Sequence, residues 1–152
     1  MAHVPDTVRE FLAQGLWAHV VTMKRNGQPH VNLCWAGLDG GEVVFASFFD
    51  AKRATRVRRD PRVTLSFHAK TYDGNALYPY LVIDGHATVT DGGAMDVMDH
   101  LAPWYIGPGA TYPNREMPPG WAYRVVIDKI YGQGPWNERW VAMDQARSDP
   151  AG

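Results

Sequence analysis

The sequence lacks most of the features that would assign it to a specialised class of protein. Its single cysteine, Cys34, excludes an internal disulfide and indicates a chain that works in a reducing cytoplasm. No stretch approaches the roughly 20 apolar residues of a membrane-spanning helix. The N-terminus carries Asp6 and Glu10 and has no long apolar segment, so it does not match a secretory signal. The formal net charge of -1 gives no overall attraction to nucleic acids or anionic membranes.

Motifs for several common chemistries are also missing. Neither GxGxxG nor the Walker phosphate-binding pattern occurs, which argues against a Rossmann domain or a P-loop nucleoside triphosphatase. No serine lies in a GxSxG motif, and Cys34 has no base nearby in the sequence, so nothing supports nucleophilic hydrolysis. The six histidines form no close pair at the spacing of metal ligands, and the sequence therefore predicts no metal site.

Apolar residues that alternate with polar ones, punctuated by turn signals, predict a mainly β protein of the α+β class. Six strands are predicted, at residues 16–23, 28–38, 42–47, 62–69, 77–90 and 121–131. The Asn26-Gly27 pair is typical of a hairpin turn, and Asp84-Gly85 could form a bulge in the long fifth strand. Because these short connections exclude crossover helices, the expected fold is a six-stranded antiparallel split β-barrel with peripheral helices.

The remaining segments predict three helices, a loop and a tail. Helices are expected to begin near Asp6, Ala51 and Gly93. Residues 106–120 contain four prolines and three glycines, which predicts a loop or lid. The length favours a single domain, taken as residues 1–146, followed by a disordered tail at residues 147–152.

The segment from Phe45 to Arg62, FASFFDAKRATRVRRDPR, carries the clearest sign of function. Asp50 is predicted to cap a helix that starts at Ala51. Six of the 15 basic residues fall here, namely Lys52, Arg53, Arg56, Arg58, Arg59 and Arg62. Cations in the first turn oppose the helix dipole, so Lys52 and Arg53 indicate that an anion such as phosphate binds there. Helical spacing places Lys52, Arg56 and Arg59 on one face. The alternative is a solvated basic helix.

Four motifs in this order resemble the flavin-binding split β-barrel superfamily, which includes pyridoxamine 5'-phosphate oxidase and the actinobacterial F-420-dependent reductases. The motifs are TMKRNGQPHVNLCWAG, VVFAS, AKRATRVRRDPRVTLSF and YRVVIDKIYG, and the resemblance spans residues 8 to 140. It implies a homodimer with a flavin or deazaflavin in a groove between two barrels. The loop WYIGPGATYP and the tail PWNERW are similar to the deazaflavin-binding branch, where such elements cover the cofactor and substrate.

The resemblance also implies which residues bind the cofactor. Arg53 matches the family's phosphate-binding lysine or arginine, and Lys52 is expected to share that role. Arg56 stands where the family usually has Asn, and this extra cation is expected to reach a second anionic group, such as the carboxylated tail of F-420. The residues expected to line the ring are Asn32, Ser47 and Phe48. Trp136 or Trp140 is expected to reach the groove, with the opposite subunit as a possible source, and the alternative is that both simply pack the tail.

The expected activity is that of an oxidoreductase that uses reduced F-420 to deliver hydride to a small, flat, conjugated acceptor. Because the cofactor carries the chemistry, no catalytic residue is required of the protein and none is assigned. Three alternatives stay open at this point. They are an FMN-dependent oxidase or reductase of the same fold, a non-catalytic cofactor carrier, and a nucleic-acid-binding module, which the near-neutral charge disfavours.

Overall fold

A computed structural model describes residues 3–72, 74 and 78–148. The strands are β1 (Trp17–Met23), β2 (Pro29–Asp39), β3 (Glu42–Ser47), β4 (Arg62–His68), β5 (Tyr80–Asp91) and β6 (Trp121–Gln133). The helices are α1 (Asp6–Leu12), α2 (Ala51–Arg59), α3 (Ala94–Tyr105) and α4 (Glu138–Ser148). The strands form a closed antiparallel barrel in the order β1-β2-β3-β6-β5-β4, which confirms the predicted fold class. No helix among the described residues is long and apolar enough to cross a membrane.

The barrel encloses a core that the strand periodicity predicts. Val63, Leu65 and Phe67 of β4 are buried, and their neighbours along the strand face outward. β6 contributes Tyr123 and Val125 to the same core. Alternation of this kind allows each strand to cover the core with one face, so the six strands together bury one contiguous apolar interior.

The predicted bulge in the fifth strand is confirmed. The register between β5 and β6 shifts between Asp84 and Gly85. A Cβ on Gly85 would lie 2.4 Å from the Val126 carbonyl oxygen and 2.5 Å from Val125 Cγ1, so the two backbones approach too closely for any larger residue. The start of the strand is later than predicted, at Tyr80, and position 77, where the prediction begins, lies outside the described residues.

One edge of β2 is only partly paired. β2 pairs with β1 from Trp35 to Pro29, whereas its pairing with β3 covers only Ala36 to Asp39 among the described residues. The edge of β2 over residues 29–35 is therefore left without a strand partner. Free backbone donors and acceptors along such an edge can bind a ligand or another polypeptide.

Different helices cover the two ends of the barrel. α1 buries Val8, Phe11 and Leu12, and lies near the β2–β3 turn, where the Arg9 side chain donates to the Gly40 carbonyl oxygen at 2.8 Å. α2 lies at the other end, where Arg59 donates to the carbonyl oxygen of Met23, the last residue of β1. The antiparallel β1–β2 hairpin thus has its turn beside α2 and its open end towards α1.

The tail beyond β6 differs from the prediction of an irregular, then disordered, segment. Residues 138–148 form α4, and the Asn137 side chain caps this helix by accepting from the backbone N–H of Trp140 at 3.1 Å. Arg147 and Ser148, expected in the disordered tail, are the last two residues of α4. Residues 149–152 lie outside the described part of the chain.

Residues 106–120 form an irregular loop, as predicted, and the loop is tied to the body at both ends. Arg115 donates to both carboxylate oxygens of Asp99 on α3, at 2.6 and 3.0 Å, and the Tyr112 amide donates to the same carboxylate. These contacts hold the pKa of Asp99 below its ordinary value. At the far end, the backbone of Gly120 packs directly against β3, since a Cβ added to Gly120 would lie only 2.3 Å from the Ser47 carbonyl oxygen.

Candidate functional site

The site begins where β3 runs directly into α2. Asp50 caps the helix as predicted, because its Oδ1 accepts from the backbone N–H of Arg53 at 3.0 Å. Ser47, the last residue of β3, accepts through Oγ from the backbone N–H of Asp50 at 3.2 Å. The first turn of α2 itself contains no acidic residue, and its positive pole faces the capping carboxylate of Asp50.

Two of the six basic residues in this segment are paired with carboxylates at the surface. Arg58 donates to Asp91 at 2.8 Å, and Arg62 donates to Asp60 at 2.7 Å. The hydrogen bond from Arg62 lowers the pKa of Asp60 to about 2. These two arginines are therefore satisfied by the protein itself and do not require a ligand.

A cationic groove of about 420 Å³ runs beside α2. It is lined by Lys24, Arg25, Ala51, Lys52, Thr55, Arg56 and Arg59. Five of these seven residues are basic and none is acidic, so the groove favours an anion. The predicted helical face of Lys52, Arg56 and Arg59 is confirmed, because all three line the same groove. Lys24 and Arg25 come from the β1–β2 turn, which the fold places next to α2.

Arg53 turns away from this groove into the barrel wall. Its side chain is only 2% exposed, and its guanidinium carbon lies 5.1 Å from the centre of the Phe45 ring and 5.0 Å from that of Tyr123. Nη2 donates to the Ala46 carbonyl oxygen at 3.1 Å, whereas the buried Nε has no hydrogen-bond partner. Arg53 and Lys52 are expected to act together, but their side chains leave the first turn of α2 in different directions.

Arg56 is 9% exposed and hydrogen-bonded to two neutral side chains. Its Nε donates to Thr22 Oγ1 at 3.0 Å, and Nη2 lies 3.3 Å from Nδ1 of His30. No carboxylate of the described residues forms an ion pair with Arg56 or Arg53. This end of the barrel therefore holds two buried positive charges without a protein counter-ion, an arrangement that costs several kcal/mol unless an anion compensates it.

Buried polar atoms without partners mark the same region. They are Asn32 Oδ1, Arg53 Nε and the Tyr123 hydroxyl; Trp136 Nε1, elsewhere in the fold, is the fourth in the described residues. Asn32 faces the barrel interior, with His30 and Cys34 two residues before and after it on the same face of β2. His30 contacts Arg56, and Cys34 lies beside Arg53. Burial raises the pKa of the Cys34 thiol and of the Tyr123 hydroxyl, so both stay protonated. The cations and orphaned polar atoms fit an anionic, hydrogen-bonding ligand.

The aromatic residues that precede α2 face in different directions. Phe48 is buried in a small cluster with Ala46 and Ala94, and its ring centre lies 5.2 Å from that of Tyr112 in the loop. Phe49 is 73% exposed beside the start of α2. Contact of a ligand with Ser47 or Phe48 stays a prediction, and Phe49 is the ring that a ligand would meet first.

The two tail tryptophans lie outside the cationic groove of their own chain. Trp136 packs against Phe11 of α1, with ring centres 4.7 Å apart, and therefore lies at the α1 end of the barrel. Trp140 is buried as part of α4, at 7% exposure. Neither residue lines the cationic groove of its own chain. Their predicted contact with a ligand would have to come from a second subunit.

Sequence reasoning missed Lys24, Arg25, Thr22 and His30. Each of these residues contacts or borders α2 from the β1–β2 hairpin, at least 26 positions away in the sequence. No local pattern indicates such contacts. The available signal was the cross-strand pairing that places Thr22 directly opposite His30, which follows once the Asn-Gly turn fixes the register of the hairpin.

Comparisons with known proteins agree with this architecture. The family model described as pyridoxamine 5'-phosphate oxidase matches residues 4–133. A solved structure named F-420 reductase superposes with a TM-score of 0.68 at 21% identity, covering 84% of this chain and 98% of that one. The conserved hypothetical protein Rv2991 from Mycobacterium tuberculosis gives a TM-score of 0.69 at 20% identity, covering 93% and 89%.

A third similar structure is HupZ from Group A Streptococcus, with a TM-score of 0.61 at 14% identity, covering 86% of this chain and 94% of that one. No curated protein matches the chain in sequence. Identities this low establish a shared fold and do not transfer an activity. The family model, in contrast, matches most of the chain by sequence.

Proposed function

The chain belongs to the pyridoxamine 5'-phosphate oxidase family, and on that basis we propose that it is an oxidoreductase that binds a flavin-type coenzyme, with F-420 preferred over FMN. The coenzyme would transfer hydride to a small conjugated organic acceptor. The observation that carries this proposal is the pair of buried guanidiniums, Arg53 and Arg56, which have no carboxylate partner among the described residues. Arg56 also lines the groove of basic side chains beside α2.

The charge distribution supports an anionic coenzyme. Removing a guanidinium from water costs several kcal/mol, and cation–π contacts with Phe45 and Tyr123 offset only part of this cost for Arg53. A phosphate bound at the first turn of α2, on the side of Lys52 and Arg56, would supply negative charge near both buried arginines. Hydrogen bonds between charged groups of this kind are about twice as strong as neutral ones.

The extent of the groove favours F-420. FMN carries one phosphate, which two or three cations suffice to neutralise. The groove continues past Lys52 to Arg59 and to Lys24 and Arg25 of the hairpin turn. These further cations would match the carboxylated tail of F-420. Because Arg56 uses two of its donors inside the barrel, the tail would depend mainly on Lys24, Arg25 and Arg59.

The chain would contribute binding, orientation and exclusion of water. Bound F-420 supplies the hydride, from its C5 carbon. Asn32 and Ser47 would contact the ring, with Phe48 supporting it from the cluster below, while the unpaired edge of β2 would offer backbone hydrogen bonds. The loop at residues 106–120, held by Arg115, would close over the site.

We also propose that the functional unit is a homodimer. Three apolar side chains on the outer face of the β1–β2 hairpin are more than half exposed: Trp17 at 53%, Val31 at 56% and Leu33 at 58%. They alternate with the inward-facing residues, so they form one continuous patch on the sheet. Such a patch commonly marks a protein interface. A second copy docked here would provide the route by which Trp136 or Trp140 reaches the opposite site. The unpaired Cys34 fits a cytoplasmic location.

The test compares coenzymes and then turnover. Purified protein is titrated with F-420 and with FMN, and we expect tighter binding of F-420. Lys52→Gln should weaken that binding and flatten its dependence on salt, whereas Arg58→Gln, which removes an equal charge already paired with Asp91, should change neither. Tighter binding of FMN would refute the preference for F-420.

Turnover then separates an enzyme from a carrier. Protein loaded with reduced F-420 is mixed with a panel of enones, quinones and tetrapyrroles, and oxidation of the coenzyme is followed. We expect hydride transfer to at least one class of acceptor. Firm coenzyme binding with no transfer to any of them would mean that the protein carries the coenzyme and does not use it.

A further inference from the structure

The guanidinium of Arg56 is held by two residues that face each other across the β1–β2 hairpin. Thr22 and His30 are direct partners in the strand register, and both point towards the barrel interior. Arg56 donates from Nε to Thr22 Oγ1 at 3.0 Å, and its Nη2 lies 3.3 Å from His30 Nδ1. The two strands therefore present a matched pair of acceptors to one planar donor group.

This contact determines where the proton of His30 lies. A guanidinium has five N–H donors and no acceptor, so Nδ1 of His30 must accept and must carry a lone pair. A neutral imidazole whose Nδ1 accepts carries its proton on Nε2. A proton on Nδ1 would point directly at the Arg56 donor and break the contact. The contact therefore requires the tautomer that carries its proton on Nε2.

The Nε2–H of His30 is left free to bind a ligand. No acceptor for it occurs among the residues that the structure describes, and it is not one of the buried unpaired atoms, so it reaches solvent. His30 lies on the unpaired edge of β2, at the end next to the β1–β2 turn and the cationic groove. Nε2 lies across the ring from Nδ1, so this donor points away from Arg56 and is open to a ligand that reaches this end of β2.

We propose that His30 is a coenzyme-binding residue that donates Nε2–H to a phosphate oxygen of the bound coenzyme, with Arg56 fixing its tautomer from behind. This inference rests on the proposed function for the identity of the ligand. The arrangement adds a neutral donor to a cationic site. The His30 N–H points in a fixed direction, whereas the flexible Lys52 ammonium acts only as a point charge. Arg56 accordingly acts in two ways, by its charge and by orienting His30.

The experiment uses the full chain with 15N-labelled histidine and measures the ring nitrogens by NMR at neutral pH. We expect the His30 signals of a neutral ring with the proton on Nε2. Addition of F-420, of FMN, or of inorganic phosphate alone should shift the Nε2–H signal. Thr22→Val, which removes only the other acceptor of Arg56, should leave the tautomer in place. A ring protonated on Nδ1, or on both nitrogens, would overturn the proposal.

Two variants test the contact through affinity. His30→Gln can still accept from Arg56 and donate to the ligand, so coenzyme affinity should stay within about 3-fold, since both hydrogen bonds are kept. His30→Phe keeps the ring and loses both bonds, and affinity should fall about 10-fold or more, the scale of a hydrogen bond to a charged group. Equal affinity of wild type and His30→Phe, with the fold intact by circular dichroism, would overturn the proposal.

The possible failures are distinguishable. If a coenzyme binds and the Nε2–H signal does not move, the role of His30 is refuted and the proposed function stands. If neither coenzyme binds, the proposed function fails, and the phosphate titration alone decides about His30. A shift with phosphate then supports an anion-binding His30, and no shift refutes it.

Discussion

Replacement of Arg53 by methionine tests whether the buried guanidinium serves the ligand or the fold. Methionine has a similar length and no charge, so Arg53→Met removes the cation with little change in packed volume. We expect the ligand-free protein to keep most of its stability and to lose affinity for the coenzyme. The reason is that a buried charge without a counter-ion contributes little net stability, but it strengthens the binding of an anion.

The magnitude follows from the contacts. Loss of two desolvated cation–π contacts, with Phe45 and Tyr123, costs about 2 to 4 kcal/mol, and loss of the bond to Ala46 costs about 1 to 3 kcal/mol. Relief of the desolvation penalty returns several kcal/mol, so the free energy of unfolding should change by less than about 2 kcal/mol. Coenzyme binding should weaken by about 1 to 3 kcal/mol, a factor of about 5 to 150.

The assay pairs thermal unfolding without ligand with coenzyme titration. Arg58→Met is the matched control, because it makes the same change on the same helix at an arginine paired with Asp91. That control should leave coenzyme affinity unchanged. Unaltered affinity in Arg53→Met would remove Arg53 from the site, and a loss of stability above about 4 kcal/mol would show that the guanidinium is mainly structural.

Three further substitutions test the fold and the assembly. Gly85→Ala should destabilise by about 1 to 3 kcal/mol or more in denaturant unfolding, because its Cβ would meet the Val126 carbonyl oxygen; an unchanged midpoint would contradict the tight bulge. Asp60→Asn should lower stability at neutral pH: with the pKa of Asp60 depressed to about 2 by Arg62, its contribution is present above about pH 4 and is lost as pH falls through about 2. Wild type and variant should therefore converge in acid melts, and a constant gap would refute this. Leu33→Glu should yield monomers by light scattering, whereas retained dimers would exclude the β1–β2 face as the interface.

Strand periodicity predicted the barrel because each rule involved is local. Alternation in Val63-Thr64-Leu65 identifies a strand, and an Asn-Gly pair identifies a hairpin, whatever the rest of the chain does. The cap of α2 by Asp50 is equally local and is confirmed. Helix α4 was missed because Gly134 and Pro135 precede it, and its apolar residues form no strong stripe.

The candidate site was only partly predictable, for a different physical reason. The sequence indicates that cations gather at α2, but their directions depend on what the barrel places around them. Arg53 enters the wall because Phe45 and Tyr123 provide two stacked rings there. Arg56 turns inward because the hairpin register brings Thr22 and His30 together. Such contacts join residues 8 to 70 positions apart, and helical periodicity carries no information about them.

The close approach of Gly120 to Ser47 has a consequence for how this protein can be re-engineered. Gly120 adopts a φ of 62°, and the backbone of Ser47 and Phe48 leaves no space for a side chain there, so this crossing acts as a fixed anchor between the loop and the segment that joins β3 to α2. Libraries that vary acceptor preference should therefore randomise or lengthen the chain upstream, between Gly107 and Pro118, and keep position 120 constant. Substitutions at the anchor would displace the segment that leads into α2, where the coenzyme is proposed to bind.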